Sequence, residues 1–142
     1  DTVRCVRGVQ IAMLKTLQPA DWMRPKGYAN GIAASGSETI YTGGMIGWDA
    51  NCQFQSTDFV DQVRTTLENI VAVLKEADAG PEHLVRMTWY ITDKQAYNNN
   101  LKAIGEAYRD VIGRNFPAMA VLEVSALMED EAMVEIEATA VK

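Results

Sequence analysis

The segment that most constrains the fold is the last stretch of the chain, residues 132–141, because its side chains alternate strictly between two kinds. One set is Val134, Ile136, Ala138 and Ala140, and the other is Met133, Glu135, Glu137 and Thr139. Successive side chains of a β-strand point to opposite faces of a sheet, so this pattern predicts a strand with one buried face. The chain therefore needs a sheet with an apolar layer on one side and carboxylates on the other.

Two segments with helical periodicity could supply that layer. The first begins after the candidate N-caps Ser56 or Thr57 and repeats apolar residues every three or four positions up to Leu74. The second covers residues 96–112. Further strand patterns cover residues 29–34, 39–42, 84–92 and 119–124. This order predicts an α+β single domain, with a mixed sheet and two helices on one face. A partner subunit is expected to cover the other face, where polar and apolar residues mix.

The first 27 residues lack clear periodicity, and Pro19, Pro25 and Gly27 interrupt them. We therefore predict an irregular N-terminal arm over residues 1–27 and one folded domain over residues 28–142. A total of 142 residues is consistent with a single domain.

Composition excludes several functions. A net charge of -6 argues against a nucleic-acid surface, which needs clustered Lys and Arg. No apolar run is long enough for a membrane span, and a cytoplasmic location is expected. The single histidine, His83, is predicted at the surface, where it supports neither a metal site nor a Ser–His–Asp triad. Cys5 and Cys52 are expected to be unpaired thiols, although a disulfide stays open.

Four segments, in order and at matching spacing, resemble the Rid proteins, also called the YjgF or endoribonuclease L-PSP family. They are G-Y-A-N at 27–30, I-Y-T-G-G-M-I-G-W-D at 40–49, the helix with Q-V-R at 62–64 and L-E-N-I at 67–70, and F-P-A at 116–118 with V-E-I-E-A at 134–138. The resemblance covers about residues 27–142. It implies a chorismate-mutase-like fold and a homotrimer with pockets between subunits.

The resemblance also implies an activity that needs no cofactor. Rid proteins hydrolyse reactive imines or enamines such as 2-aminoacrylate, releasing ammonia and a 2-oxo acid. The alternative is a non-catalytic trimer of the same fold that binds a small molecule. Ribonuclease activity attaches to some members, but the acidic composition gives it no support.

The predicted site consists of the catalytic residue Glu135 and the substrate-binding residues Tyr28, Gly43, Gly44, Met45 and Met119. Glu135 would be the catalytic carboxylate that positions or activates water, and Tyr28 would border the pocket. Gly43 and Gly44 would bring backbone amides close to the ligand, and Met45 stands where the family often has Gln. The structural alternatives are a solvated carboxylate at Glu135, an aromatic packing residue at Tyr28 and a tight strand crossing at the glycines.

One position departs from the family pattern in a way that bears on substrate. The residue after P-A is an arginine that grips the substrate carboxylate in competent Rid proteins, and here it is Met119. A hydrogen bond to a charged group contributes about 1.5–3 kcal/mol, so small anionic imines should be handled less well. Trp48, beside the glycines, is a possible rim residue, and Gly105 stands near a usual helix asparagine. These departures predict a more hydrophobic pocket, suited to a larger, aromatic or ring-derived ligand, or to nothing with a free carboxylate at that position. Arg24 or Lys26 could supply a replacement cation at the rim; the alternative is a solvated basic arm.

Overall fold

The computed structural model describes the backbone of residues 3–6 and the whole of residues 12–142. The strands are β1 (Val3–Val6), β2 (Ala12–Leu17), β3 (Gly31–Ser35), β4 (Thr39–Tyr41), β5 (Met45–Ile46), β6 (Leu84–Ile91), β7 (Ala118–Glu123) and β8 (Val134–Val141). The helices within these residues are α1 (Phe59–Lys75), α2 (Lys94–Asn98) and α3 (Leu101–Val111). The molecule is an α+β single domain.

The larger sheet has the order β4-β8-β6-β7, with β5 also paired to β8. β8 is antiparallel to β4, β5 and β6, whereas β6 and β7 are parallel, so the predicted mixed sheet is confirmed. The alternation along β8 is also as predicted. Val134, Ile136 and Ala140 are completely buried, while Glu135 and Glu137 lie on the opposite face.

α1 and α3 pack on the buried face of this sheet. One stripe along α1 is completely buried: Val63, Leu67, Ile70 and Leu74. Full burial of a leucine or isoleucine side chain contributes about 1.5–3 kcal/mol, so this stripe anchors the helix to the sheet.

The N-cap of α1 is Asp58, not the predicted Ser56 or Thr57. Asp58 has an extended backbone, and its carboxylate accepts a hydrogen bond from the Asp61 amide at 3.0 Å. Ser56 donates instead to the Asp61 carboxylate at 2.8 Å.

The prediction of one helix over residues 96–112 was wrong, because the segment is divided into α2 and α3. Asn100 has a non-helical backbone, with φ -127° and ψ 25°, and its side-chain amide donates to the carbonyl of Ala96 at 2.7 Å. Asparagine side chains compete with helical backbone bonds in this way. Tyr97 of α2 contacts Trp89 of the sheet, with the two rings edge to face.

The predicted irregular arm was also wrong for much of its length. β1, β2 and β3 form a three-stranded antiparallel sheet, in which Leu17 pairs with Gly31 and Val6 with Ala12. Ala12 and Leu14 are buried and Met13 is exposed, so β2 alternates over a span too short to stand out in the sequence. The partner strand β3 supplies the backbone hydrogen bonds that this short pattern needs.

Two smaller points complete the fold. His83 is buried rather than exposed, because its Nδ1 accepts a hydrogen bond from the Gly80 amide at 3.0 Å in the turn between α1 and β6. In the part of the chain that the structure describes, no helix has the length and apolar character required to cross a membrane.

Candidate functional site

A cleft of about 690 Å³ opens between α3 and the β6–β7 edge of the larger sheet. We call it the helix-side cleft. Its aromatic lining is Tyr28, Trp89, Tyr97, Tyr108 and Phe116, and its aliphatic lining is Leu101, Ile104, Met119 and Val121. Its basic residues are Lys26 and Arg109, beside Gly27 and Gly105. This volume lies in the usual range for a small-molecule site.

Strand register explains why Met119 faces this cleft. Met119 pairs with Met87 and Val121 pairs with Trp89 across the parallel β6–β7 ladder. Met87 and Trp89 are buried beneath the helices, so their partners on β7 face the same side of the sheet. Met119, where the resemblance leads us to expect an arginine, is therefore a wall of the helix-side cleft.

Ring contacts hold the aromatic walls. Tyr108 and Phe116 stack with centroids 5.8 Å apart, and the Tyr108 hydroxyl donates to the carbonyl of Asn115. Trp89 and Tyr97 meet edge to face at 6.3 Å. The Trp89 indole nitrogen is buried, with no hydrogen-bond partner among the described residues. Burial raises the pKa of the Tyr97 phenol above its usual value.

The two cations reach the cleft by different routes. Lys26 precedes Gly27, whose φ of 80° turns the chain into the cleft edge. Arg109 stands one helical turn after Gly105, and a Cβ built on Gly105 would lie only 3.3 Å from its Nη1. The guanidinium thus lies back along α3 over a position that has no side chain. Arg24 does not line this cleft; it lies with Arg114 in a separate depression of about 220 Å³.

The opposite face of the same sheet, which we call the open face, carries Glu135. Glu135 packs against Gly44, where a built Cβ would lie 2.7 Å from the carboxylate Oε2 and 2.8 Å from Cδ. A glycine at position 44 is what allows this approach. Within residues 12–142, the Glu135 carboxylate has no hydrogen bond or ion pair, and its side chain is partly buried.

Glu137 lies two residues further along the open face in a different setting. Its carboxylate accepts a hydrogen bond from the Tyr90 hydroxyl at 2.9 Å. This hydrogen bond, with a smaller effect from burial, raises the pKa of Tyr90. Glu137 is therefore engaged within the chain, whereas Glu135 is available to a ligand.

The predicted pocket residues fall into two groups on opposite faces of the sheet. Tyr28 and Met119 lie in the helix-side cleft with Lys26. Glu135 and Gly44 lie together on the open face, next to the exposed Gly43.

Two further predicted residues, Met45 and Trp48, belong to neither group. Met45 pairs with Ile136 on β8 and is partly buried against the core. Trp48 packs against Phe54 at 5.9 Å, and its carbonyl accepts from the Asn69 amide. Trp48 therefore does not form a wall of the helix-side cleft.

Sequence reasoning did not find Arg109 or the aromatic side chains of β6, α2 and α3. The only sequence signal for Arg109 is its spacing of four from Gly105, which places the two residues on one helix face. That signal has meaning only once the cleft is known.

Metal chemistry has no support from the described ranges, in which no three His, Cys, Asp or Glu residues could hold a metal ion. Cys52 is an exposed, unpaired thiol. The side chain of Cys5 lies outside the described residues.

Residues 23–142 match the model of the family described as Endoribonuclease L-PSP. The chain is 33% identical over 109 residues to the RutC family protein UK114 of Drosophila melanogaster, covering 76% of this chain and 75% of that protein. It is 31% identical over 105 residues to the human 2-iminobutanoate/2-iminopropanoate deaminase, covering 73% of each.

Structural similarity agrees with the sequence matches. The crystal structure of YyfB, a Rid protein from Yersinia pestis, superposes with a TM-score of 0.81 at 28% identity, covering 91% of this chain and 98% of that one. The four sequence segments, the mixed sheet with its helices and these similarities lead to one assignment: the chain belongs to the endoribonuclease L-PSP family, also known as the Rid or YjgF family.

Proposed function

We propose that this protein hydrolyses a reactive imine or enamine and releases ammonia, at a site that two copies of the chain complete within a homotrimer. The observation that carries the proposal is the Glu135 carboxylate. It packs against Gly44, without a hydrogen bond or ion pair within residues 12–142, on a sheet face that no helix covers. The deaminase name of the human relative supports an imine substrate.

The chemistry needs one positioned water and one group that can accept and return a proton. Water adds to the carbon of the protonated C=N bond while Glu135 accepts a proton from it, which gives a carbinolamine. Glu135 then returns the proton to nitrogen, and as the C–N bond breaks its carboxylate takes up the hydroxyl proton, so that ammonia leaves and a carbonyl remains. An enamine first takes up a proton at carbon to become the imine. A single carboxylate is sufficient for these transfers.

The separation of the predicted residues supports a site between copies. Glu135 and Met119 lie on opposite faces of the sheet, so one chain cannot place both against the same small ligand. The open face also exposes apolar surface, including Tyr41 at 75% and Leu122 at 41%. Exposed apolar residues beside polar ones are typical of an interface. In a chorismate-mutase-like homotrimer, the open face of one copy would meet the cleft edge of the next.

A second candidate is a trimer that binds a small molecule without turnover. Met119 favours it, because the strand position that grips the substrate carboxylate in competent Rid proteins is apolar here. Both candidates predict a ligand in the cleft, and they differ in whether the carboxylate of Glu135 is needed for a reaction.

The test compares Glu135→Gln with Glu137→Gln. An amino-acid oxidase generates the imines in situ from amino acids. Semicarbazide traps any imine that has not been hydrolysed, so a lower yield of trapped product reports hydrolysis. General acid–base catalysis contributes about 100- to 10,000-fold, so Glu135→Gln should lower the rate by at least roughly 100-fold. Glu137→Gln, on the same strand face, should stay within about threefold of the parent protein. Native mass measurement of each variant checks that assembly is unchanged.

Two results would count against the hydrolase. No turnover by the parent protein across a panel of imines, with ligand binding intact, would favour the binding trimer. Equal losses in both variants would mean that the open face matters for structure rather than for proton transfer.

A further inference from the structure

We infer that the helix-side cleft takes a carboxylate that bears an aromatic side chain, and that Arg109 of α3 binds the carboxylate in place of the missing strand arginine. The reaction in this inference rests on the proposed function, whereas the binding of the ligand does not. If both hold, the substrate class is a 2-imino acid with an aromatic side chain.

The charge of the cleft selects an anion. Two cations, Lys26 and Arg109, line it, and none of the described residues that line it is acidic. The whole chain has a net charge of -6, so the positively charged lining is opposite in sign to the protein as a whole. Apolar walls lower the local dielectric and strengthen the attraction of both cations for a carboxylate.

The geometry of α3 makes Arg109 available. The absence of a side chain at Gly105 lets the guanidinium lie over that turn, with Nη1 3.3 Å from where a Cβ would stand. The backbone carbonyl of Arg109 accepts from the Gly113 amide at 3.0 Å, but no ion pair or hydrogen bond holds its guanidinium within residues 12–142. The neighbouring Asp110 is instead occupied by Arg64, at 3.0 Å. A guanidinium that is free and faces an apolar cleft is suited to bidentate binding of a carboxylate.

The walls select the rest of the ligand. Five aromatic side chains line the cleft, and the stacked pair Tyr108–Phe116 presents ring surface near Met119. Methionine at 119 adds a polarizable apolar surface where an arginine would have placed a charge. A volume of about 690 Å³ leaves a three-carbon imine in loose contact, whereas a ring could stack on these walls. Lys26 is exposed and stands on irregular backbone, so its contribution should be the smaller of the two cations.

The binding test uses unreactive probes. 3-Phenylpropanoate carries the ring and the carboxylate, 3-phenylpropanamide carries the ring without the charge, and propanoate carries the charge without the ring. Binding is followed by calorimetry and by the fluorescence of Trp89, in a Trp22→Phe, Trp48→Phe background that leaves the indole of the cleft as the reporter. 3-Phenylpropanoate, which has both the ring and the charge, should bind at least roughly 10-fold more tightly than 3-phenylpropanamide or propanoate.

The matched variants are Arg109→Gln and Arg114→Gln. Arg114 is exposed and does not line the helix-side cleft. Arg109→Gln should weaken 3-phenylpropanoate about 10- to 100-fold and leave 3-phenylpropanamide unchanged. Arg114→Gln should change neither. Arg109→Lys keeps the charge without the bidentate fork and should give an intermediate loss.

Turnover separates this inference from the proposed function. Imines made from phenylalanine should be hydrolysed at least about 10-fold more efficiently than those from alanine, and Arg109→Gln should raise KM for the aromatic imine more than it lowers kcat. Arg109-dependent probe binding without any turnover would overturn the hydrolase and keep the cleft assignment. Turnover that is unaffected by Arg109→Gln, or a cleft closed to the probes by a neighbouring copy, would overturn the cleft assignment and keep the hydrolase.

Discussion

The two faces of the larger sheet differ in what completes them. On the helix face, residues of α1, β6 and β8 bury one another fully, as Leu67, Met87 and Val134 show, and the chain needs no partner there. On the open face, Glu135, Glu137 and the exposed Tyr41 remain without a covering element among the described residues. The first face therefore explains the stability of the fold, and the second fits the proposal that another copy of the chain completes the candidate site.

The comparison extends to the two glutamates of the open face. Glu137 is engaged by Tyr90 within the chain, whereas Glu135 is packed against a glycine and keeps its oxygens available. Alternation along β8 places both carboxylates on the same face. Their neighbours in space give Glu137 a hydrogen bond within the chain and leave the carboxylate of Glu135 available, as its proposed role requires.

The largest effect is expected from a large cation placed on the open face. Ala120 is exposed on β7 and pairs with Thr88 on that face. Ala120→Arg should leave the fold of the chain intact but weaken assembly by at least roughly 100-fold, because an interface would have to accept both extra volume and a buried charge.

Ala72→Arg is the matched control, since Ala72 is an exposed alanine on the outer side of α1. Light scattering and native mass measurement report the oligomeric state of both variants. Equal assembly of the two would show that the open face is not where copies meet.

On the helix face, the corresponding change is a cavity. Leu67→Ala removes a completely buried side chain from the stripe of α1 and should lower the free energy of unfolding by about 2–5 kcal/mol. Urea titration at several protein concentrations measures it. If Leu67→Ala did not lower the free energy of unfolding, the apolar core would not be what limits the stability of the protein.

The smallest of these effects is expected from a substitution that tests the role of Gly44. Gly44→Ala would bring a methyl group to 2.7 Å from Glu135 Oε2, so the flexible end of the glutamate has to move. Displacement of a catalytic group costs about 10- to 100-fold in rate, while unfolding free energy should change little. Binding of 3-phenylpropanoate in the helix-side cleft should be retained. A variant with unchanged turnover would show that the position of Glu135 is not critical.

Much of the fold was predictable because it rests on strong local patterns. The alternation over β8, the stripe of α1 and the β-branched run of β6 each specify an element by themselves. Weaker patterns were misread. The α2–α3 break depends on one asparagine side chain that bonds backward to Ala96, and β2 depends on pairing with a strand 14 residues further along the chain.

The candidate site was only half predictable for a related reason. The resemblance supplied Tyr28, Met119 and Glu135, and the sequence does not say that they lie on different faces of one sheet. Arg109 carried no usable signal, because nothing in a helical run of residues marks which turn meets a cleft.

Local sequence patterns specify most of the elements and which of their faces are apolar, since periodicity and turn chemistry act over a few neighbouring residues. The tertiary structure brings distant side chains together: Met119 and Arg109 line one cleft, and Glu135 lies against Gly44. The physical reason is that strand register and helix placement are fixed by burial summed over the whole domain, and no short segment contains that sum.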